Sequence, residues 1–148
     1  MKRAVLDTNT IISGLLRPKS PPGKILDLAM QGKFSLASSE HLINELRRAL
    51  KYERVATILA KRGWTEEDLT RFIEGFRKIC TITQGSPLSE KVCRDPDDDW
   101  LLACAEESEA EVIVSGDKDV TALKKYKGIR ILDARSFLKE LTFTESQT

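Results

Sequence analysis

The sequence is poor in the residues that bind metals or cross-link chains: three cysteines and one histidine in 148 residues. Cys80, Cys93 and Cys104 are too few and too scattered for a disulfide framework, and they lack the Cys-x-x-Cys spacing of a zinc site. They read as buried, reduced thiols of a cytosolic protein. No apolar run approaches the roughly 18 residues of a membrane span. Met1-Lys2-Arg3 begins like the charged end of a secretory leader, but Asp7 interrupts the apolar stretch after Ala4-Val5-Leu6, so no leader is expected. An excess of charge is missing as well. The 24 basic and 23 acidic residues leave a net +1, which disfavours a uniformly cationic coat for indiscriminate nucleic-acid binding. Aromatic residues are scarce at 6%, and Trp64, Trp100 and the phenylalanines fit a core or an interface better than base stacking.

What remains is the composition of one globular domain. Hydrophobic residues at 41% and charged residues at 32% argue against disorder, and the length suits a single compact unit. The domain is expected over residues 1–141, with 142–148 as a flexible C-terminal tail. Residues 3–6 read as a strand ending in Asp7-Thr8-Asn9, followed by a helical turn over 11–16 and a Pro/Ser loop. Further helices are expected over 23–31, 42–50, 55–61 and from Thr65 through Phe76. Thr65 and Asp68 stand at capping-box spacing, and Ser38 or Ser39 can cap the second of these helices. Strands are expected over 33–37, 78–83, 111–114 and 129–132, with helices over 97–107, 120–125 and 134–141. Strands alternating with helices imply an α/β fold: a three-layer sandwich around a central parallel sheet of about five strands.

In such a sheet, sites form at the carboxyl ends of the strands. Asp7 follows the first strand, Asp117 follows Val112-Ile113-Val114, and Asp98 opens the helix before that later strand. Converging carboxylates repel one another, and they are relieved either by protonation or by a divalent cation. With little His or Cys at hand, hard Mg²⁺ or Mn²⁺ is the matching ion, and such ions activate water against a phosphoryl group. Taken singly, each acid has a plainer reading. Asp7 reads equally as a helix cap, Asp97–Asp99 as a dipole-matched helix start, Asp117 as a turn residue and Asp119 as the cap of the next helix.

Four segments change that balance. Val5-Leu6-Asp7-Thr8-Asn9, Asn44-Glu45-Leu46, Asp95-Pro96-Asp97-Asp98-Asp99-Trp100-Leu101-Leu102-Ala103 and Val114-Ser115-Gly116-Asp117-Lys118-Asp119 resemble, in order and spacing, the motifs of the PIN-domain family. The chain looks closest to the small prokaryotic members that serve as toxins of toxin–antitoxin pairs. The resemblance implies a Mg²⁺- or Mn²⁺-dependent endoribonuclease in which a metal-activated water leaves a 5′-phosphate and a 3′-hydroxyl. It carries catalytic and metal-binding roles onto Asp7, Glu45, Asp98 and Asp117, with Asn9, Ser115 and Asp119 in support. Among the three neighbouring aspartates Asp98 is preferred, because Leu101–Ala105 after it best reproduces the family's apolar, small-residue helix, and Asp99 is the runner-up. Glu45 also reads as an ion-pair partner of Arg47 or Arg48. His41 reads as structural or exposed, on a different helix face from Glu45.

The expected partners are RNA, a small antitoxin covering the site and a second copy of the chain, with cytoplasmic location and no membrane. Apolar residues between Leu42 and Phe76 supply either a dimer face or core. Two basic stretches are candidates for phosphate contacts: Arg47, Arg48, Lys51, Arg54, Lys61 and Arg62, then Lys118, Lys124, Lys125, Lys127 and Arg130. Neither is assigned to RNA. Two other functions compete. One is a non-catalytic RNA- or protein-binding module of the same fold. The other is a phosphoryl-transfer enzyme using Asp7 as nucleophile, which fits poorly because Asn9 stands where a second Asp is usual in haloacid-dehalogenase phosphatases.

Overall fold

A computed structural model describes residues 2–146. Its sheet joins β1 (Arg3–Leu6), β2 (Ser35–Ser39), β3 (Cys80–Thr83), β4 (Val112–Val114), β5 (Lys125–Tyr126) and β6 (Ile129–Leu132) in the order β3-β2-β1-β4-β6-β5. All neighbours run parallel except β5 and β6. The helices are α1 (Thr8–Leu16), α2 (Pro21–Met30), α3 (Glu40–Leu50), α4 (Glu53–Lys61), α5 (Glu66–Ile79), α6 (Pro96–Glu107), α7 (Lys118–Thr121) and α8 (Ala134–Ser146).

The central strands carry unbroken apolar runs because helices cover both faces of a parallel sheet. Alternation along them divides the core into two layers. Ala4, Leu6, Val112 and Val114 pack with residues of α1, α2, α3, α5 and α8. Val5, Ala37 and Ile113 face Leu101, Leu102, Cys104 and Ala105 of α6 and Val120 of α7. This is the expected three-layer α/β sandwich. Ile43, Leu46, Ala49, Leu50, Val55, Leu59, Ile73 and Phe76 are buried in the first layer and Leu42 in the second, so these residues supply core. Gly23 makes the entry to α2 close enough to pack: a Cβ there would lie 2.2 Å from the Pro18 carbonyl oxygen.

Several local boundaries differ from the sequence expectation. The sheet has six strands among the described residues, because Lys125–Tyr126 pairs antiparallel with β6. The expected helix over 120–125 therefore stops at Thr121. The linking residues Lys127 and Gly128 both have positive φ, 47° and 81°. That is the backbone of a tight primed hairpin turn, and Lys-Gly is a weaker signal for it than Asn-Gly or Asp-Gly. α1 begins earlier than expected, at Thr8, because the Asp7 carboxylate accepts from Thr10 N at 2.8 Å and caps the helix. α8 continues past Leu141 to Ser146; residues 147 and 148 of the expected tail lie outside the described residues. Among the described residues no helix is long and apolar enough to cross a membrane.

One ion-pair cluster ties the strand layer to α8. Arg130 donates two hydrogen bonds to Glu140, at 2.8 and 2.6 Å, and Lys2 pairs with the same carboxylate. Arg130 holds the Glu140 carboxyl down to about 2 against the opposing effect of burial, and Lys2 adds to the lowering. A depressed carboxyl pKa contributes stability that is present above its unfolded value, near 4.5, and is lost as pH falls toward 2. Glu140→Gln is accordingly expected to lower unfolding free energy by about 1 kcal/mol at pH 7. The deficit should vanish as pH falls to 2 in urea titrations, and a pH-independent deficit would refute the linkage.

Candidate active site

β1 and β4 are neighbours at the centre of the sheet, yet the chain leaves β1 toward β2 on the other side. Ligand crevices in open α/β sheets form at such a reversal, outside the carboxyl ends of the strands. Asp7 follows β1 and its backbone N–H donates to Val114 O at 3.0 Å. Beyond β4, fully buried Ser115 joins the two strand ends. Its hydroxyl donates to Asp7 Oδ2 at 2.5 Å and accepts from the Asp117 backbone N–H at 3.0 Å. Asp7 is thereby held at both oxygens, by the α1 cap and by Ser115, and Asp117 caps α7 by accepting from Asp119 N at 2.8 Å. The cap reading of Asp7 holds. The cap of α7 is Asp117 and not Asp119 as expected, because Asp119 already lies in the first turn and donates its N–H to Asp117. In both cases a capping carboxylate keeps charge at the strand edge.

α6 opens with Asp95, whose carboxylate accepts from Asp97 N at 2.9 Å, followed by Pro96. The next three aspartates then diverge. Asp99 turns back on the preceding loop, accepting from Cys93 N at 2.7 Å and from Val92 N at 3.2 Å. Asp98 meets the field of the acid cluster: its carboxyl is pushed up to about 6, first by burial and then by Asp117, Asp95, Asp7 and Glu45. Glu45, on α3, is likewise raised, mainly by burial; Thr8 opposes the shift, Asp97 adds to it, and His41 and Arg48 lower it. The charge of Arg48 is thus a minor influence on Glu45, and Arg47 is engaged with Asn44 Oδ1 at 2.9 Å. Glu45 Oε2 is buried without a hydrogen-bond partner. Asn9 is exposed on the first turn of α1, and Asp119 is exposed on α7.

The structure therefore brings Asp7, Asp98, Asp117 and Glu45 into one electrostatic cluster. Their oxygen-only donor set and the orphaned Glu45 oxygen fit a hard divalent cation. Two further residues, His41 and Asp97, gather around Glu45. One ligand atom each from His41, Glu45 and Asp97 lies within 4.8 Å of the others. His41 and Glu45 are four apart on α3 and so share a face, which corrects the expectation that they point apart. Their i, i+4 spacing was the available signal; the approach of Asp97, fifty-six positions on, had none.

The cysteines take no part. All three are free, and burial pushes their thiols up to about 12. The second basic stretch is partly spent on the fold, since Lys127 pairs with Glu106 at 2.9 Å and Arg130 with Glu140.

Residues 3–119 match a family model described as PIN domain, a span that contains Asp7, Glu45, Asp98 and Asp117. The chain is 32% identical over 122 residues to the uncharacterized protein MJ1680 of Methanocaldococcus jannaschii, covering 82% of this chain and 75% of that protein. The crystal structure of PAE2754 from Pyrobaculum aerophilum is similar at a TM-score of 0.61 and 20% identity, over 96% of this chain and 90% of that one. At that identity the likeness is one of fold.

Proposed function

This chain belongs to the PIN domain family, and from that premise we propose that it is a Mg²⁺- or Mn²⁺-dependent endoribonuclease. PIN domains are generally nucleases, which act by hydrolysing phosphodiester bonds. The observation that carries this proposal is the convergence of four carboxylates from separate elements at one edge of the sheet, where burial first and then Asp117, Asp95, Asp7 and Glu45 push the Asp98 carboxyl up to about 6. A divalent ion held by Asp7, Asp98, Asp117 and Glu45 would supply water activation and offset charge growing on the phosphoryl group. The chain's own contribution is rigidity. Ser115 locks the Asp7 carboxylate and the Asp117 backbone together, the α1 terminus holds the other Asp7 oxygen, and Asp99 anchors the loop that leads into α6. The reading includes in-line attack by water, a 5′-phosphate product, and a role as the toxin of a pair whose antitoxin covers this edge in the cytoplasm. The motif resemblance supports those details.

The test is cleavage of single-stranded and structured RNAs in Mn²⁺, in Mg²⁺ and in EDTA, with wild type beside Asp7→Asn. Asparagine caps a helix as well as aspartate does, so the variant keeps its fold. Ion-dependent cleavage that is absent in EDTA and in the variant is the expected result. Cleavage persisting in either overturns the assignment. RNA binding without cleavage in any ion would favour the non-catalytic module.

A further inference from the structure

We infer that His41, Glu45 and Asp97 form a second divalent-cation position, one with an imidazole ligand, beside the acid cluster. The inference shares Glu45 with the site proposed above and to that extent rests on it. Three features carry it. First, the donors are already assembled: His41 Nε2 stands 3.2 Å from Asp97 Oδ1, and a Glu45 carboxylate oxygen completes the triangle within 4.8 Å. Donors bonded at about 2.1 Å to a tetrahedral ion stand about 3.4 Å apart, so the His41–Asp97 separation already fits and the Glu45 oxygen needs to approach by at most about 1.4 Å.

Second, the imidazole is oriented. Trp100, one turn after Asp97 on α6, stacks on the His41 ring with centroids 4.5 Å apart and planes 15° from parallel. α6 thus grips His41 at two points, one setting the ring plane and one meeting its Nε2. Third, a simple imidazole–carboxylate pair needs Asp97 alone, whereas Glu45 arrives as an additional acid whose Oε2 is buried and has no hydrogen-bond partner. One nitrogen and two carboxylate oxygens suit a first-row transition ion such as Mn²⁺, Fe²⁺ or Zn²⁺; Mg²⁺ prefers oxygen alone.

The chain has a single histidine, so an imidazole nitrogen coupled to a bound ion can come only from His41. Mn²⁺ added to the untagged, full-length protein and observed by pulsed electron paramagnetic resonance should show imidazole ¹⁴N modulation. Titration should count two bound ions per chain. His41→Gln should lose the modulation and one of the two ions, and Asp97→Asn should weaken the same ion at least about tenfold. Bound Mn²⁺ without ¹⁴N modulation in the wild type would overturn this inference and leave the ribonuclease reading standing. No bound Mn²⁺ at all would overturn both, and modulation surviving in His41→Gln would exclude His41 as its source.

Discussion

Asp98→Asn is expected to reduce ion-dependent RNA cleavage by about 10³-fold or more, equivalent to ~4 kcal/mol of transition-state stabilisation. The same change should make the ion-free protein more stable. The folded-state carboxyl titrates near 6, raised by burial and by Asp117, Asp95, Asp7 and Glu45 from its ordinary 3.8. For a raised pKa the favourable contribution is complete below the unfolded value and is lost as pH rises through the folded one. At pH 7 the ionised Asp98 therefore strains the cluster. An amide removes that strain, for a gain of about 1 kcal/mol once screening at this half-exposed position is allowed for. In a domain of this length that is a rise in Tm of roughly 3 °C in EDTA at pH 7, fading to nothing near pH 4.

Asp99→Asn is the paired control with the same charge change. Its carbonyl oxygen can still accept from Cys93 N, so the loop stays anchored and cleavage should remain within about tenfold of wild type. Loss of cleavage in Asp99→Asn with retention in Asp98→Asn would move the third acid to Asp99. Calorimetry in EDTA and a single-turnover assay on the two variants decide between them.

The largest expected loss of stability lies far from that edge. Phe137 of α8 is fully buried and meets Phe34 edge-on, with ring centroids 5.2 Å apart. Phe137→Ala removes the ring and leaves a cavity among Phe34, α2 and the sheet, at a cost of about 3–5 kcal/mol. Small domains are stable by about 5–15 kcal/mol, so this one substitution should bring the protein close to unfolding at ambient temperature. Urea denaturation should show a lower midpoint with an unchanged slope. A loss below about 1 kcal/mol would mean that α8 is not part of the cooperative core.

The sheet was legible because its signals are local. Val112-Ile113-Val114 and Ala4-Val5-Leu6 are apolar runs of strand length, the leucines and isoleucines of α3 recur at helical period, and Thr65 with Asp68 forms the capping box its spacing announces. The hairpin at Lys127-Gly128 escaped because lysine at positive φ carries no propensity signal. The early start of α1 escaped because capping and site-building by Asp7 look alike in sequence.

By itself, then, the amino-acid order determined the layer architecture, the family and the set of acids at strand ends, since periodicity and motif spacing act within a turn or a strand. Only the tertiary structure separated Asp98, in the field of Asp7 and Asp117, from Asp97 beside His41 and Glu45 and from Asp99 turned back on its loop, and showed that Ser115 bridges to Asp7 and that His41 meets Trp100. Asp7 and Ser115 stand 108 positions apart. Contacts at that range have no period; they exist because β1 and β4 pair at the centre of the sheet and α6 packs beside them.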